Sequence, residues 1–172
     1  MLGKQVVIRK AKGGGYVISA APHRTGEMSE SQKAQQEKFR QAIAYSKGNR
    51  SLPEYAEAAL ARDTSTHNVA VADFLHAPEI TKLDVSGYHG DVGQPIVITA
   101  IDDVKVKSVG VLIASEDGTF VEKGAATVSP ADATHWTYTT TAKAKPGAVK
   151  IVADAADLAD HVVEATESLQ LS

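Results

Sequence analysis

Residues 95–120 read PIVITAIDDVKVKSVGVLIASEDGTF, and apolar side chains alternate with polar ones across two strand-length runs, Ile96/Ile98/Ala100 and Val109/Val111/Ile113. A period of two places each set on one face of a sheet, where it can be buried. Asp102-Asp103 separates the runs and Glu116-Asp117-Gly118 follows them, both suited to turns. Strand, turn, strand, turn at this spacing predicts a β-sandwich. Working outward, seven strands are expected: Ile80–Ser86, Ile96–Ile101, Val104–Ala114, Thr119–Val128, His135–Thr141, Ala148–Ala153 and Val162–Leu171. Seven short strands suit an immunoglobulin-type sandwich over residues 78–172. Trp136 and Tyr138 share a face of the fifth strand, with Trp136 the expected core anchor.

Residues 1–77 read differently. Gln5–Arg9 and Tyr16–Ala20 are β-prone, and Lys12-Gly13-Gly14-Gly15 between them supplies the positive φ angles of a hairpin loop. Three helices follow. Ser29 with Gln32 fits a capping box opening a helix to Lys47, with Phe39, Ala42, Ile43 and Ser46 on one face. Ser51 with Glu54 suggests a second box, for a helix ending near Asp63. A third spans Ser65–Leu75, with Val69, Ala70, Ala72, Phe74 and Leu75 as its apolar residues. Pro78 then disfavours further helix. The expected fold is α+β: an N-terminal β-hairpin plus short helices, then a C-terminal seven-stranded Ig-like β-sandwich.

A hydrophobic fraction of 43% and a charged fraction of 23% predict a folded globular chain. There is no cysteine, which removes disulfides, thiolate metal sites and a Cys nucleophile. No run approaches the roughly 18 apolar residues of a membrane span, so no membrane insertion is expected. Val6-Val7-Ile8 is too short for a signal-peptide core. Charge is divided: residues 1–77 carry eleven Lys/Arg against seven Asp/Glu, and residues 78–172 carry seven against fourteen. The basic end suits either an anionic partner or the acidic end of another copy.

Residues 98–126, with HWTYTTTA (135–142) and KPGAVKIVADAADLADH (145–161), resemble bacterial Ig-like repeats of surface and virion proteins. Asp102, Asp103, Val106 and Val109 match the family's D-(D/N)-x-x-V-x-x-V turn. Ala153-Asp154 or Ala156-Asp157 matches its later A-x-D element, with no Gly-Asn after either. Residues 71–100, with Phe39, Ala42 and Tyr45, are similar to prokaryotic proteins that join a basic N-terminal hairpin and helices to an Ig-like module. The resemblance implies a domain layout and no activity.

Chemical motifs are sparse. His23, His67, His76, His89, His135 and His161 form no metal-ligating spacing. No G-x-S-x-G elbow is present, and the paired carboxylates Asp102/Asp103 and Glu116/Asp117 fall in expected turns. Asp102, Asp103, Asp154 and Asp157 are oxygen donors of the type calcium takes, on loops that a sandwich gathers at one end. The Gly13-Gly14-Gly15 triplet lacks a phosphate-loop pattern. No enzyme activity, cofactor or metal is therefore assigned.

The expected function is structural: self-association into a homo-oligomer or filament through the N-terminal ribbon and the sandwich. The interface residues are Val6, Ile8, Tyr16, Val17 and Ile18, helped by Arg9 and Lys10. The alternative is a nucleic-acid or anionic-surface binder using Lys4, Arg9, Lys10, Lys12 and Arg24. A third reading is a loop-borne site for sugar or calcium. As the core anchor, Trp136→Ala is expected to cost about 3–5 kcal/mol of stability, measured by urea unfolding.

Overall fold

The computed structural model describes residues 6–10, 14–20 and 26–172. The chain forms two compact units, Met1–Gln35 and Gln36–Ser172. In the first, β1 (Val6–Lys10) pairs antiparallel with β2 (Tyr16–Ala20), with Ile8 opposite Ile18 and Lys10 opposite Tyr16. The expected hairpin glycine Gly13 and the basic residues Lys4, Lys12 and Arg24 lie outside the described residues. Helix α1 (Glu30–Asn49) begins here with the capping box realised. The Gln32 amide donates to Ser29 Oγ at 3.3 Å, and the Ser29 amide donates to Gln32 Oε1 at 3.2 Å.

In the second unit α1 continues and is followed by α2 (Pro53–Ala61) and α3 (Thr66–Leu75). Ser65 caps α3 through Asn68 N, but α2 is capped differently from expectation. Its N-cap is Leu52 without a side-chain bond, because Pro53 starts the helix one residue too late for Ser51 to serve it. On α1 the buried positions are Ala42 and Ser46, whereas Phe39 is half-exposed. Tyr55, Ala59, Val69 and Ala70 form a small core of their own, closed by Tyr45, Leu52, Val104 and Leu158.

Strands β3 (Glu79–Asp84), β4 (Pro95–Ile101), β5 (Ser108–Ser115), β6 (Phe120–Ala125), β7 (Thr127–Val128), β8 (His135–Thr139), β9 (Gly147–Ala156) and β10 (Val162–Leu171) complete the chain. They form two four-stranded sheets, ordered β3-β4-β8-β7 and β10-β9-β5-β6, with every pairing antiparallel. The mixed α/β architecture with a sandwich of sheets agrees with the sequence at that level. The count differs. The run 119–128, read as one strand, is divided: β6 pairs with β5, and β7 pairs with β8 in the other sheet. The chain crosses between them at Ala126, whose amide donates to the Val109 carbonyl. The start of β5 also moves, from the expected Val104 to Ser108, because Asp102 Oδ2 accepts from the Val104 and Lys105 amides and holds that segment in a turn.

One core lies between the sheets. Ile96, Ile98 and Ala100 of β4 and Trp136 and Tyr138 of β8 bury against Val109, Val111 and Ile113 of β5 and Val149, Ile151, Ala153 and Ala155 of β9. The alternation read from residues 95–120 is this inner face.

A buried carboxylate stands among these apolar residues. Glu122 of β6 receives four hydrogen bonds on Oε2, from Tyr138 Oη (2.8 Å), Thr141 N (2.8 Å), Thr141 Oγ1 (2.7 Å) and Ala142 N (3.2 Å). Burial pushes this carboxyl up, but the donors together outweigh it and hold Glu122 below its usual range. Tyr138 reaches Glu122 because its ring lies over Gly124, where a Cβ would stand 2.6 Å from Tyr138 Cε2. Gly124→Ala is therefore expected to displace Tyr138 and cost about 1–3 kcal/mol, measured by urea unfolding. An unchanged midpoint would show that the ring moves without loss.

Candidate functional site

Cross-strand partners share a face, so the pairing of β1 with β2 puts Val6, Ile8, Lys10, Tyr16 and Ile18 on one side of the ribbon and Val7, Arg9, Val17 and Ser19 on the other. Val6, Ile8, Tyr16, Val17 and Ile18 are between 55% and 72% exposed. Arg9 and Lys10 are exposed as well. Every residue expected at the assembly interface therefore lies on this ribbon. Four of the five apolar ones form a single exposed face. A two-stranded ribbon with exposed apolar side chains on both faces lacks a core of its own.

The acidic residues considered for calcium are occupied or dispersed. Asp102 Oδ2 closes its own turn. Asp103 Oδ2 lies 2.6 Å from His76 Nδ1. Asp157, fully buried, accepts from His161 N at 2.7 Å and lies 2.7 Å from His161 Nδ1. Asp154 lies opposite Gly110 and Glu164 in its sheet. Among the described residues no group of three or more His, Asp or Glu side chains converges on a point where a metal ion could sit. Nor is any helix among them long and apolar enough to cross a membrane.

The structure also holds a buried polar cluster where the helices meet the turns after β4 and β9. Tyr45 Oη lies 2.7 Å from Tyr55 Oη and donates to the Leu158 carbonyl at 3.0 Å. Tyr55 Oη donates to Asp73 Oδ2 at 2.6 Å. Glu54 pairs with Lys105 at 3.1 Å, and Arg62 donates to the Asp103 carbonyl. Asp73 is fully buried, and its Oδ1 lacks a donor among the described residues, as does Asp102 Oδ1. The Asp102 carboxyl acts on Asp73 to favour its protonated form. Asp73 is pushed up to about 6: burial raises it most, the Tyr55 hydroxyl pulls it down, and Asp102 and Asp157 raise it.

Sequence reasoning passed over this cluster. On α3 the positions i and i+4 from Val69 place Asp73 on the buried side, and that spacing was the available signal. Tyr45 likewise follows Ala42 by three residues on α1.

No family model matches this chain, and no curated protein matches it. Among solved structures, CopC from Methylosinus trichosporium OB3b aligns with a TM-score of 0.42 at 13% identity, covering 56% of this chain and 93% of that one. Nothing about function follows from a likeness at that level.

Asp73 binds its proton more tightly folded than unfolded. Its contribution to stability is therefore full below about pH 4 and is lost as pH rises through about 6. Asp73→Asn removes the titrating carboxyl and keeps an acceptor for Tyr55. It is expected to flatten the pH dependence between pH 4.5 and 7 by on the order of 2–3 kcal/mol, read by urea unfolding at both values. A variant with the wild-type slope would show that Asp73 does not titrate in this range.

Proposed function

We propose that this chain is a non-enzymatic structural protein that assembles with copies of itself, into a homo-oligomer or filament, through its N-terminal ribbon and an Ig-like sandwich. One observation carries the reading: β1 and β2 present Val6, Ile8, Tyr16 and Ile18 together on one exposed face. Burying four such side chains is worth on the order of 4–8 kcal/mol before the costs of association. The strand order supports the Ig-like identification, because β3-β4-β8-β7 and β10-β9-β5-β6 correspond to the A-B-E-D and G-F-C-C′ sheets of that architecture.

The partner surface is the acidic sandwich of another copy. Residues 78–172 carry a net charge of −7 against +4 for residues 1–77, so Arg9 and Lys10 favour a head-to-tail contact. The sheets leave β6, β10, β3 and β7 at their edges, and exposed edges accept added strands. The apolar side chains Phe120 and Val162 are exposed on two of them. A heterologous contact of this kind repeats into rings or filaments.

The alternative, a nucleic-acid or anionic-surface binder, draws on the adjacent exposed cations Arg9 and Lys10. It requires retention on heparin that weakens steeply with salt. Assembly through the ribbon instead requires an apolar contact. Sedimentation velocity on the full chain is expected to show concentration-dependent association, weakened roughly tenfold or more in Ile8→Glu/Ile18→Glu. A wild-type chain that stays monomeric at high concentration, or a double variant that assembles as well as wild type, overturns the proposal.

A further inference from the structure

The four edge strands of the two sheets are not alike. β7 has two residues. β3 and β6 each carry an unpaired extra residue, Thr81 and Val121, where their registers break, and each also carries a lysine, Lys82 and Lys123. Short length, bulges and lysines are features that keep an edge from accepting another strand. β10 has none of them. Its ten residues pair with β9 without a break, and it contains no proline, lysine or arginine. Among the described residues, no backbone group outside β9 bonds its main chain. Thr166, Glu167 and Ser168 are exposed in succession, so both faces of this edge are open at mid-strand. Glu167, Leu169 and Leu171 stand on the side toward the core, since Glu167 pairs with Ile151 and Leu169 with Val149, both buried. A carboxylate at Glu167, with Glu164 on the same strand, turns away a second β10 through like charge. It admits a strand that carries a cation at the matching position.

We infer that the admitted strand is β1 of a second copy of the chain, added antiparallel to β10. The inference rests on the assembly reading above and names its docking edge. β1 presents Val6, Ile8 and Lys10 on one exposed face and carries no acid, whereas β2 carries no charge of either sign. With Lys10 set opposite Glu167, an antiparallel β1 meets Leu169 with Ile8 and Leu171 with Val6. Cation then faces carboxylate and apolar side chain faces apolar side chain along the core side. The same register sets Val7 opposite Gln170 on the outer side. A parallel β1 would put Ile8 against Ala165, a smaller partner than Leu169, in a pairing slightly less stable per residue. The ribbon thereby continues the sheet β10-β9-β5-β6 of its neighbour by two strands.

Lys10 and Glu167 are both exposed, so reversing either charge leaves the fold intact. In the full-length chain, Lys10→Glu and Glu167→Lys are each expected to weaken assembly roughly tenfold or more in sedimentation velocity, and Lys10→Glu/Glu167→Lys to recover it. The chain has no cysteine, so an introduced pair reports without background. Facing residues of antiparallel strands stand about 4.5–5.5 Å apart at Cα, a span that a disulfide bridges. Val7→Cys and Gln170→Cys chains, mixed and oxidised, are expected to give a disulfide-linked heterodimer. Val7→Cys mixed with Glu164→Cys, the position that a parallel β1 would bring opposite Val7, is expected to give none. Assembly lost in Ile8→Glu/Ile18→Glu but unchanged by both charge reversals, with no disulfide in either mixture, overturns the β10 docking and leaves the ribbon contact standing. A disulfide formed with Glu164→Cys in place of Gln170→Cys overturns the antiparallel register. A chain that is monomeric at every concentration overturns both the docking and the assembly reading.

Discussion

Burial between two sheets is the constraint from which the rest of the Gln36–Ser172 unit follows. β4, β5, β8 and β9 each send alternate side chains inward, and a one-residue slip in any of them would turn an apolar row to solvent. That register fixes where the turns emerge. Asp102 follows β4 directly, and its side chain bonds the next two available amides, so the segment 104–107 is held where Val104 can close the helical core. The polar cluster shares this turn, since Asp102 acts on Asp73. The helices are therefore seated by the sandwich rather than by thick apolar faces of their own, consistent with their Ala-rich composition.

Two buried carboxyls show how the same desolvation leads to opposite outcomes. Glu122 and Asp73 are both removed from water, and burial pushes both upward. Glu122 collects four donors, two of them main-chain amides that cannot leave, and stays ionised below its usual range. Asp73 has one donor, Tyr55, and two acidic neighbours, so its balance falls the other way. The number and sign of neighbours decides the state, and burial sets only the stakes. One site locks a loop across the β6–β8 junction; the other makes the contact of α3 with the Asp102 turn a titrating one.

Much of this was legible in the sequence, and the exceptions have physical causes. The period-two alternation was plain because each inner face is an unbroken apolar row, as in Ile96/Ile98/Ala100. The Ser29 capping box was legible because its two bonds are local. The passage of 119–128 from one sheet to the other was not, since β6 and β7 are both extended and only the identity of the partner strand changes at Ala126. Asp73 and Glu122 were not recognised because charged residues are ordinarily read as solvated. What keeps each of them buried comes from residues 15 or more positions away, which no local pattern displays. The ribbon's two faces were not separated in the sequence reading, which grouped Val17 with Val6, Ile8, Tyr16 and Ile18, because the face a residue takes depends on the strand register.

The distribution of charge bears on which geometry the proposed assembly would adopt. Stacking two ribbons face to face would bury Val6, Ile8, Tyr16 and Ile18 against their own copies, which is the simplest symmetric solution. Stacked with their loops at the same end, the ribbons would also bring Lys10 of one copy beside Lys10 of the other, since Lys10 shares that face with Tyr16, and Arg9 stands next to it. Like charges at short range in a partly desolvated contact oppose such a pairing. Against residues 78–172 of another copy, which carry the net negative charge, the same cations would meet opposite charge. Such a contact would join unlike surfaces and leave a free ribbon at one end and a free sandwich at the other, so growth would stop only where the rotation between copies closed a ring.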